Sequence, residues 1–343
     1  MREQWLARAS APLPVSWLVR LSRERLYRPM YHTVRGDEPL PHVEHLYPTL
    51  PRARFERDLD ALLRHFDPVA LDDVPDWLEG RRGRRPGFFL TFDDGLREVL
   101  DVALPLLRAK GVPATVFVNS AFVDNRALFF RYLASVLVDH VAHQPPNTVT
   151  EQAVMSCLGS APGVDLRQAL LGVPYAQRSS LDRAAELLGF DTSAFLDRQR
   201  PYLSVEQLKQ MRADGISIGA HSIDHPLYRD ITLDEQLRQT QESCAFVRAT
   251  FGQSACTFAF PFSDVGVSST FVERVAEERI ADRLFGGQGF RSEGSELMIQ
   301  RHAIEGRAGE MEGLIRADHV LALLRRGLGK YRVSRPNATV EPC

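Results

Sequence analysis

Two pairs of residues that can bind a metal or move a proton each follow an apolar segment of this chain. Asp93 and Asp94 come directly after FFLTF (88–92), and His221 and His225 lie in HSIDHP (221–226), directly after ISIGA (216–220). A polar turn or ordinary histidines would explain either pair alone. Taken together, two imidazoles and one carboxylate predict a cation site with an open position, beside which the second carboxylate can act as a base.

The segments that must position these residues alternate between strands and helices, which predicts a parallel sheet. Apolar runs predict strands at 88–92, 114–118, 216–220, 257–262 and 297–304, and helical spacing predicts helices at 96–110, 205–214, 233–250 and 310–332. Because the carboxyl ends of parallel strands lie on one face, the acid pair and the histidine pair should meet there.

Composition narrows the class of protein. The 343 residues are 44% hydrophobic and 25% charged, which is typical of a soluble globular chain, and the net charge of −2 gives no reason to expect a nucleic-acid partner. Four scattered cysteines do not form a zinc ribbon or a disulfide framework. No apolar run is long enough to span a bilayer and the first residues lack a secretory pattern, so we expect a cytoplasmic protein, with peripheral membrane contact left open. The basic cluster at 81–85 is interpreted first as a solvated loop and second as a patch for an anionic substrate or membrane surface.

At this point the chain resembles a known family. TFDDG (91–95) followed by H-S-x-x-H-P (221–226) is similar to the polysaccharide deacetylases, the NodB-homology group of carbohydrate esterase family 4 type, and YHTV (31–34) resembles the first strand of one branch. The resemblance implies an α/β fold, a distorted (β/α) barrel at 28–306 with a large helical insertion at about 120–202. An N-terminal helical extension (1–27) and a C-terminal helix and tail (307–343) complete the predicted organisation. The insertion is either a lid or substrate-recognition element, or a structural excursion.

The family also implies a site and a reaction. One divalent metal ion would be held by Asp94, His221 and His225, with zinc expected first and cobalt, manganese or nickel as alternatives. Asp93 would be the general base. The reaction would be hydrolysis of an N-acyl group, first of all acetyl, on an amino-sugar-containing saccharide or glycoconjugate. O-acetyl ester hydrolysis, or a carbohydrate-binding barrel with impaired turnover, are the alternatives, and the oligomeric state is left open.

The chain departs from the family pattern at two places. The third motif, commonly Arg-x-Pro-Tyr-Gly, is replaced by AFPFS (259–263), which keeps Pro261 and an aromatic residue, Phe262, whose backbone N–H is the expected oxyanion donor by resemblance. The motif's arginine is absent, and Arg301 is the candidate replacement, with an ordinary surface arginine as the alternative.

The general acid is also open. His302, on the late strand, is the first candidate, and His32 is its competitor as an acid or as a residue lining the site. Arg301 and His302 are neighbours and should point to opposite faces of a strand. Both can enter the site only if that strand ends or bulges there.

Overall fold

A parallel sheet of eight strands forms the centre of the protein in its computed structural model, which describes residues 5–6 and 9–337. The strand order is β12-β11-β10-β9-β8-β7-β2-β13, and every pair of neighbours is parallel. The strands of the described chain are β1 (Leu26–Tyr27), β2 (Pro29–Tyr31), β3 (Val34–Arg35), β4 (Leu50–Pro51), β5 (Asp67–Pro68), β6 (Gly87–Phe88), β7 (Leu90–Phe92), β8 (Ala114–Val118), β9 (Ser217–Ala220), β10 (Thr257–Ala259), β11 (Arg283–Gly286), β12 (Met298–Gln300) and β13 (His302–Ala303).

Helices cover the outside of the barrel and form the insertion. They are α1 (Val15–Ser22), α2 (Arg52–His65), α3 (Val74–Leu78), α4 (Leu104–Lys110), α5 (Phe130–His143), α6 (Thr148–Cys157), α7 (Leu166–Gly172), α8 (Ser179–Leu187), α9 (Thr192–Gln199), α10 (Val205–Ala213), α11 (Leu233–Phe251), α12 (Ser269–Glu277) and α13 (Met311–Gly327). No helix of the described chain is long and apolar enough to cross a membrane.

The segment 298–303 nearly closes the barrel, because it pairs with one edge strand before Arg301 and with the other edge strand after it. β12 pairs with β11, whereas β13, immediately after Arg301, pairs with β2. The N–H of Arg301 donates to the carbonyl of Gly286, and the N–H of His302 donates to that of Arg28 on the other side. The two edges of the sheet therefore belong to one stretch of chain, as in the distorted barrel that the sequence predicts.

Most predicted elements are present, although the helix predicted at 310–332 ends at Gly327, and two further differences have local causes. The strand predicted at 257–262 ends at Ala259, because Pro261 has no amide hydrogen and Phe262 has a left-handed φ of 56°. The helix predicted from Leu96 begins as a π-helix at Val99–Ala103 and becomes α-helical at α4. Pro105 cannot donate an amide hydrogen bond to the preceding turn, which favours this irregular start. The predicted capping box of α10 is formed by Ser204 and Gln207.

The predicted insertion is a helical layer of its own. Helices α5 to α8 bury an apolar cluster separate from the barrel core, which includes Leu137, Val154, Leu170 and Leu181. A second cluster, which includes Phe129, Tyr132 and Tyr202, joins the insertion to the barrel. The predicted C-terminal helix is α13, which packs against α1 and α2. The domain limits predicted from the sequence remain a prediction.

Candidate active site

The turn after β7 points the side chains of Asp93 and Asp94 in different directions. The backbone N–H of Asp93 still donates to the carbonyl of Tyr31, as if the strand continued. Asp94 and Gly95 then adopt left-handed φ values of 69° and 66°, a conformation that aspartate tolerates better than most residues and glycine adopts freely. Both carboxylates are buried. This turn gives two neighbouring acids separate partners.

Asp94 lies against the two histidines of the HSIDHP loop. Its Oδ1 is 3.1 Å from Nε2 of His225 and 3.4 Å from Nε2 of His221, and the three side chains offer ligand atoms within 4.8 Å of one another. Oδ1 is buried and makes no hydrogen bond with any described residue. Nδ1 of His221 is 2.8 Å from the carbonyl of Ala259, which fixes the ring with Nε2 towards Asp94.

The pKa shifts of Asp94 and His225 suit a cation. Burial opposes ionisation of Asp94, but the imidazoles of His225 and His221 hold the pKa of its carboxyl well below the usual value. Burial also lowers the pKa of His225, so its ring is neutral at physiological pH. A carboxylate and neutral imidazoles are the ligand forms that bind a divalent metal. The donor set therefore fits the metal that the family implies, without specifying which one.

The sequence of the loop explains how both imidazoles reach Asp94. Ser222 and His225 have left-handed φ values of 67° and 65°, so the chain turns back between the two histidines. The Ser222 hydroxyl accepts a hydrogen bond of 3.0 Å from the N–H of His225. The side-chain amide of Asn119, directly after β8, donates to the carbonyl of His221. The strand-end placement expected from the sequence is present for both pairs.

Asp93 forms a buried ion pair with Arg301. Nη1 and Nη2 of Arg301 donate to Oδ1 and Oδ2 of Asp93 at 2.7 and 2.8 Å, a two-point grip that fixes the plane of the carboxylate. Nη1 also donates to the Thr91 hydroxyl at 3.0 Å. Burial alone would raise the pKa of Asp93, but the guanidinium outweighs burial and lowers it. Arg301 thus contacts the acid that the sequence pairs it with, and it is not a surface arginine.

The side chain of His302 points to the opposite face of the strand from that of Arg301, as strand alternation requires. Its ring packs between Tyr27 and Phe290, with ring centroids at 4.7 and 4.4 Å, and Nε2 is 4.0 Å from Asp318 of α13. Burial lowers the pKa of His302 to about 3. The structure does not bring His302 to Asp93 and Asp94, so this placement gives no support to its predicted role as general acid.

His32 lies at the site instead, paired with an acid that sequence reasoning missed. Its Nδ1 is 2.5 Å from Oε2 of Glu305, whose Oε1 accepts from the backbone N–H groups of His32 and Thr33, both at 2.8 Å. Burial opposes protonation, but Glu305, with Asp94 and Asp93 nearby, raises the pKa of His32 to about 10. His32 is therefore an imidazolium at neutral pH. The only sequence signal for Glu305 is its place just after the strand that carries Arg301.

The insertion supplies two further residues that the sequence did not identify. The hydroxyl of Tyr132, on α5, donates to Oδ2 of Asp94 at 2.5 Å. The ring of Phe129 lies 4.4 Å from that of His225, and the half-exposed Phe262 lies 4.6 Å from the same imidazole. Pro261 is buried, and the N–H of Phe262 donates to no described residue. The insertion and the AFPFS segment therefore form walls of the site.

The comparisons with known proteins identify the family of the chain. The family model described as polysaccharide deacetylase matches residues 80–278, more than half of the chain. The chain belongs to the polysaccharide deacetylase family, the NodB-homology hydrolases that act on N-acetyl amide bonds of polysaccharides. The fold prediction and the family prediction are both confirmed. No curated protein sequence matches the chain.

Solved structures share the fold at low sequence identity. A Streptococcus pyogenes deacetylase, PplD, in complex with acetate is 15% identical with a TM-score of 0.53, over 84% of this chain and 95% of that one. IcaB from Ammonifex degensii is 17% identical with a TM-score of 0.51, over 86% and 97%. A de-N-acetylase from Aggregatibacter actinomycetemcomitans is 13% identical with a TM-score of 0.52, over 84% and 97%. At these identities the likeness shows the barrel fold alone.

Proposed function

We propose that this protein is a metal-dependent deacetylase that hydrolyses the N-acetyl group of an amino sugar in a saccharide or glycoconjugate. One observation carries the proposal: the ligand group of Asp94, His221 and His225 adjoins a buried, ionised Asp93 that is not part of it. Family membership supplies the hydrolase class and a saccharide substrate. The N-acetyl specificity, the metal and the residue roles are our proposal.

Each residue would have a separate role in the reaction. A divalent cation held by Asp94, His221 and His225 would polarise the amide carbonyl and make water more acidic. Asp93 would take the proton from the attacking water, with Arg301 keeping it ionised and oriented. As the water oxygen bonds to the carbonyl carbon and the C–N bond breaks, a proton must reach the departing nitrogen. Imidazolium His32 is the proposed donor, which yields the free amine and acetate.

The surroundings of the cation site are consistent with the same reaction. The free N–H of Phe262 is the proposed hydrogen-bond donor to the oxygen that gains charge during attack. Zinc is the cation we expect first, although carboxylate and imidazole ligands also suit cobalt, manganese and nickel. Cytoplasmic location stays a prediction from the sequence.

The test is acetate release from matched N-acetylated and O-acetylated oligosaccharides, measured with metal content for the wild type, Asp93→Asn and Asp94→Asn. We expect release from the N-acetylated substrate, lost in Asp93→Asn with the metal retained, whereas Asp94→Asn should lose both. Metal loss in Asp93→Asn would reverse the assignment of the two acids. Release from the O-acetylated substrate alone would indicate an esterase, and bound metal without any release would indicate a binding barrel.

A further inference from the structure

A groove rich in arginine lies at the end of the barrel opposite the candidate active site. It has a volume of about 600 Å³, and its arginines are Arg20, Arg23, Arg25, Arg64, Arg84 and Arg85. We call these six residues the basic groove. Arg25 directly precedes β1, and Arg84 and Arg85 precede β6, so the groove is at the amino ends of strands that run into the barrel. The metal-ligating residues follow the carboxyl ends.

Half of these guanidiniums hold the groove together. Arg25 donates to the carbonyls of Gly83 and Arg84 at 2.6 and 3.2 Å. Arg85 donates to the carbonyls of Leu63 and Arg64 and lies 3.0 Å from Asp67. Arg64 is 3.0 Å from Glu312. These contacts tie the segment before β6 to the end of α2 and the start of β1, so the groove is a fixed feature of the fold.

The other three arginines have no ion-pair partner among the described residues. The side chains of Arg20, Arg23 and Arg84 are exposed, and none forms an ion pair or hydrogen bond with any residue that the structure describes. The chain as a whole has a net charge of −2, so this concentration of positive charge is local. Like charges held close together raise the free energy of the surface unless an anionic partner covers it.

Large apolar side chains are exposed beside these arginines. Helix α1 buries Val15, Leu18 and Val19 against the protein. Its opposite side carries Trp17, 50% exposed, and Leu21, 45% exposed, one helical turn apart, with Arg20 three positions after Trp17. Trp17 and Leu21 are thus exposed to water on the helix that also carries Arg20.

We propose that the basic groove and the exposed side of α1 dock the protein on an anionic phospholipid surface. Guanidiniums attract the phosphate headgroups, and tryptophan and leucine enter the boundary between headgroups and acyl chains. The exposed Leu21 favours a lipid surface over a nucleic acid, which would use the aromatic rings and the charge but not an aliphatic side chain. Docked in this way, the protein holds its catalytic face away from the bilayer.

The charge variant is Arg20→Gln/Arg23→Gln/Arg84→Gln in the full chain. Vesicles of phosphatidylcholine with phosphatidylglycerol should sediment the wild type, and vesicles of phosphatidylcholine alone should not. The triple variant should partition about a hundredfold more weakly, since each basic residue at such a surface contributes about fivefold. Added salt should weaken wild-type binding in the same direction.

Matched variants separate charge from folding. Replacing the same three residues by lysine keeps the charge and should keep binding. Arg167→Gln/Arg198→Gln/Arg200→Gln removes three exposed arginines of the insertion and should bind as the wild type does. Trp17→Ala should reduce binding and the blue shift of tryptophan emission on vesicles, whereas Val149→Ala, at another exposed apolar residue, should not.

The proposal does not depend on the catalytic one, because vesicle binding needs no substrate. Asp93→Asn should bind vesicles normally, and the arginine variant should release acetate from a soluble substrate at the wild-type rate. Equal binding by the glutamine variant and the wild type would overturn the proposal. So would wild-type binding to an oligonucleotide but not to vesicles, or a dimer that buries α1.

Discussion

Arg301 and Glu305 each contact a group that could transfer a proton, and they shift its pKa in opposite directions. Arg301 lowers the pKa of Asp93, and Glu305 raises that of His32. Arg301 keeps Asp93 ionised, so Asp93 can accept a proton. Glu305 keeps His32 protonated, so His32 can donate one. Opposite shifts of pKa in neighbouring groups are the usual sign of a base and an acid that work together. This pairing with Glu305 supports the proposed role of His32, rather than His302, as the general acid.

The pairing of His32 with Glu305 predicts the alkaline side of the pH profile. His32 must be protonated to donate, so kcat/KM should fall as pH rises through its pKa, which the structure places at about 10. Glu305→Gln removes the carboxylate that raises this pKa. The fall in kcat/KM should therefore occur at lower pH in the variant, with the metal content unchanged.

The matched control is Glu296→Gln, at an exposed acid before the amino end of β12, whereas His32 follows the carboxyl end of β2; it should leave the profile where it is. A general loss of folding in Glu305→Gln would scale the rate at every pH without moving the alkaline fall. If the wild type and Glu305→Gln lost activity at the same pH, His32 would not be the acid.

At the scale of elements, the insertion is part of the site. Helix α5 brings Tyr132 to Asp94, and Tyr175 donates to both carboxylate oxygens of Asp224 in the HSIDHP loop, at 2.9 and 2.8 Å. The insertion therefore supports both the carboxylate and the loop of the predicted ligand group. A structural excursion would not need these contacts.

This contact predicts that the insertion tunes metal affinity. Tyr132→Phe removes the hydroxyl that donates to Oδ2 of Asp94, and loss of such a partner of a metal ligand typically weakens affinity by about 10–100-fold. Competition with a chromogenic chelator measures this directly, without substrate. Tyr27→Phe is the control, because it removes a similar buried hydrogen bond, 2.7 Å to Asp318, on the outside of the barrel. It should lower stability and leave metal affinity unchanged; equal affinities in the two variants would contradict the prediction.

The same contacts show what the sequence could and could not predict. Asp93, Asp94, His221 and His225 were predictable because each pair lies on the segment that directly follows a strand, and parallel strands bring their carboxyl ends together. Arg301 was predictable because a buried Asp93 needs a positively charged partner. Strand alternation then places the side chain of His302 on the opposite face. Glu305 depends on the register of β13 with β2, and Tyr132 on how α5 packs over the barrel. Periodicity fixes neither register nor packing between distant elements.

At the scale of the whole molecule, the predicted ligands join distant parts of the chain. Asp94 and His221 are separated by the entire insertion, and both are buried. In the metal-free protein a buried carboxylate with an unsatisfied oxygen costs stability. A cation that binds only the folded state removes this cost and shifts the folding equilibrium by mass action.

Metal should therefore raise the melting temperature of this protein. At a free metal concentration of about 100 times Kd, the free energy of unfolding should increase by about 2.7 kcal/mol. Calorimetry with added zinc, reversed by a chelator, measures the shift. Asp93→Asn keeps all three predicted ligands and should show the full increase, whereas Asp94→Asn should show almost none. The two variants make the same chemical change at neighbouring positions, and only Asp94→Asn removes a predicted ligand. An increase of the same size in Asp94→Asn would therefore mean that the metal binds elsewhere.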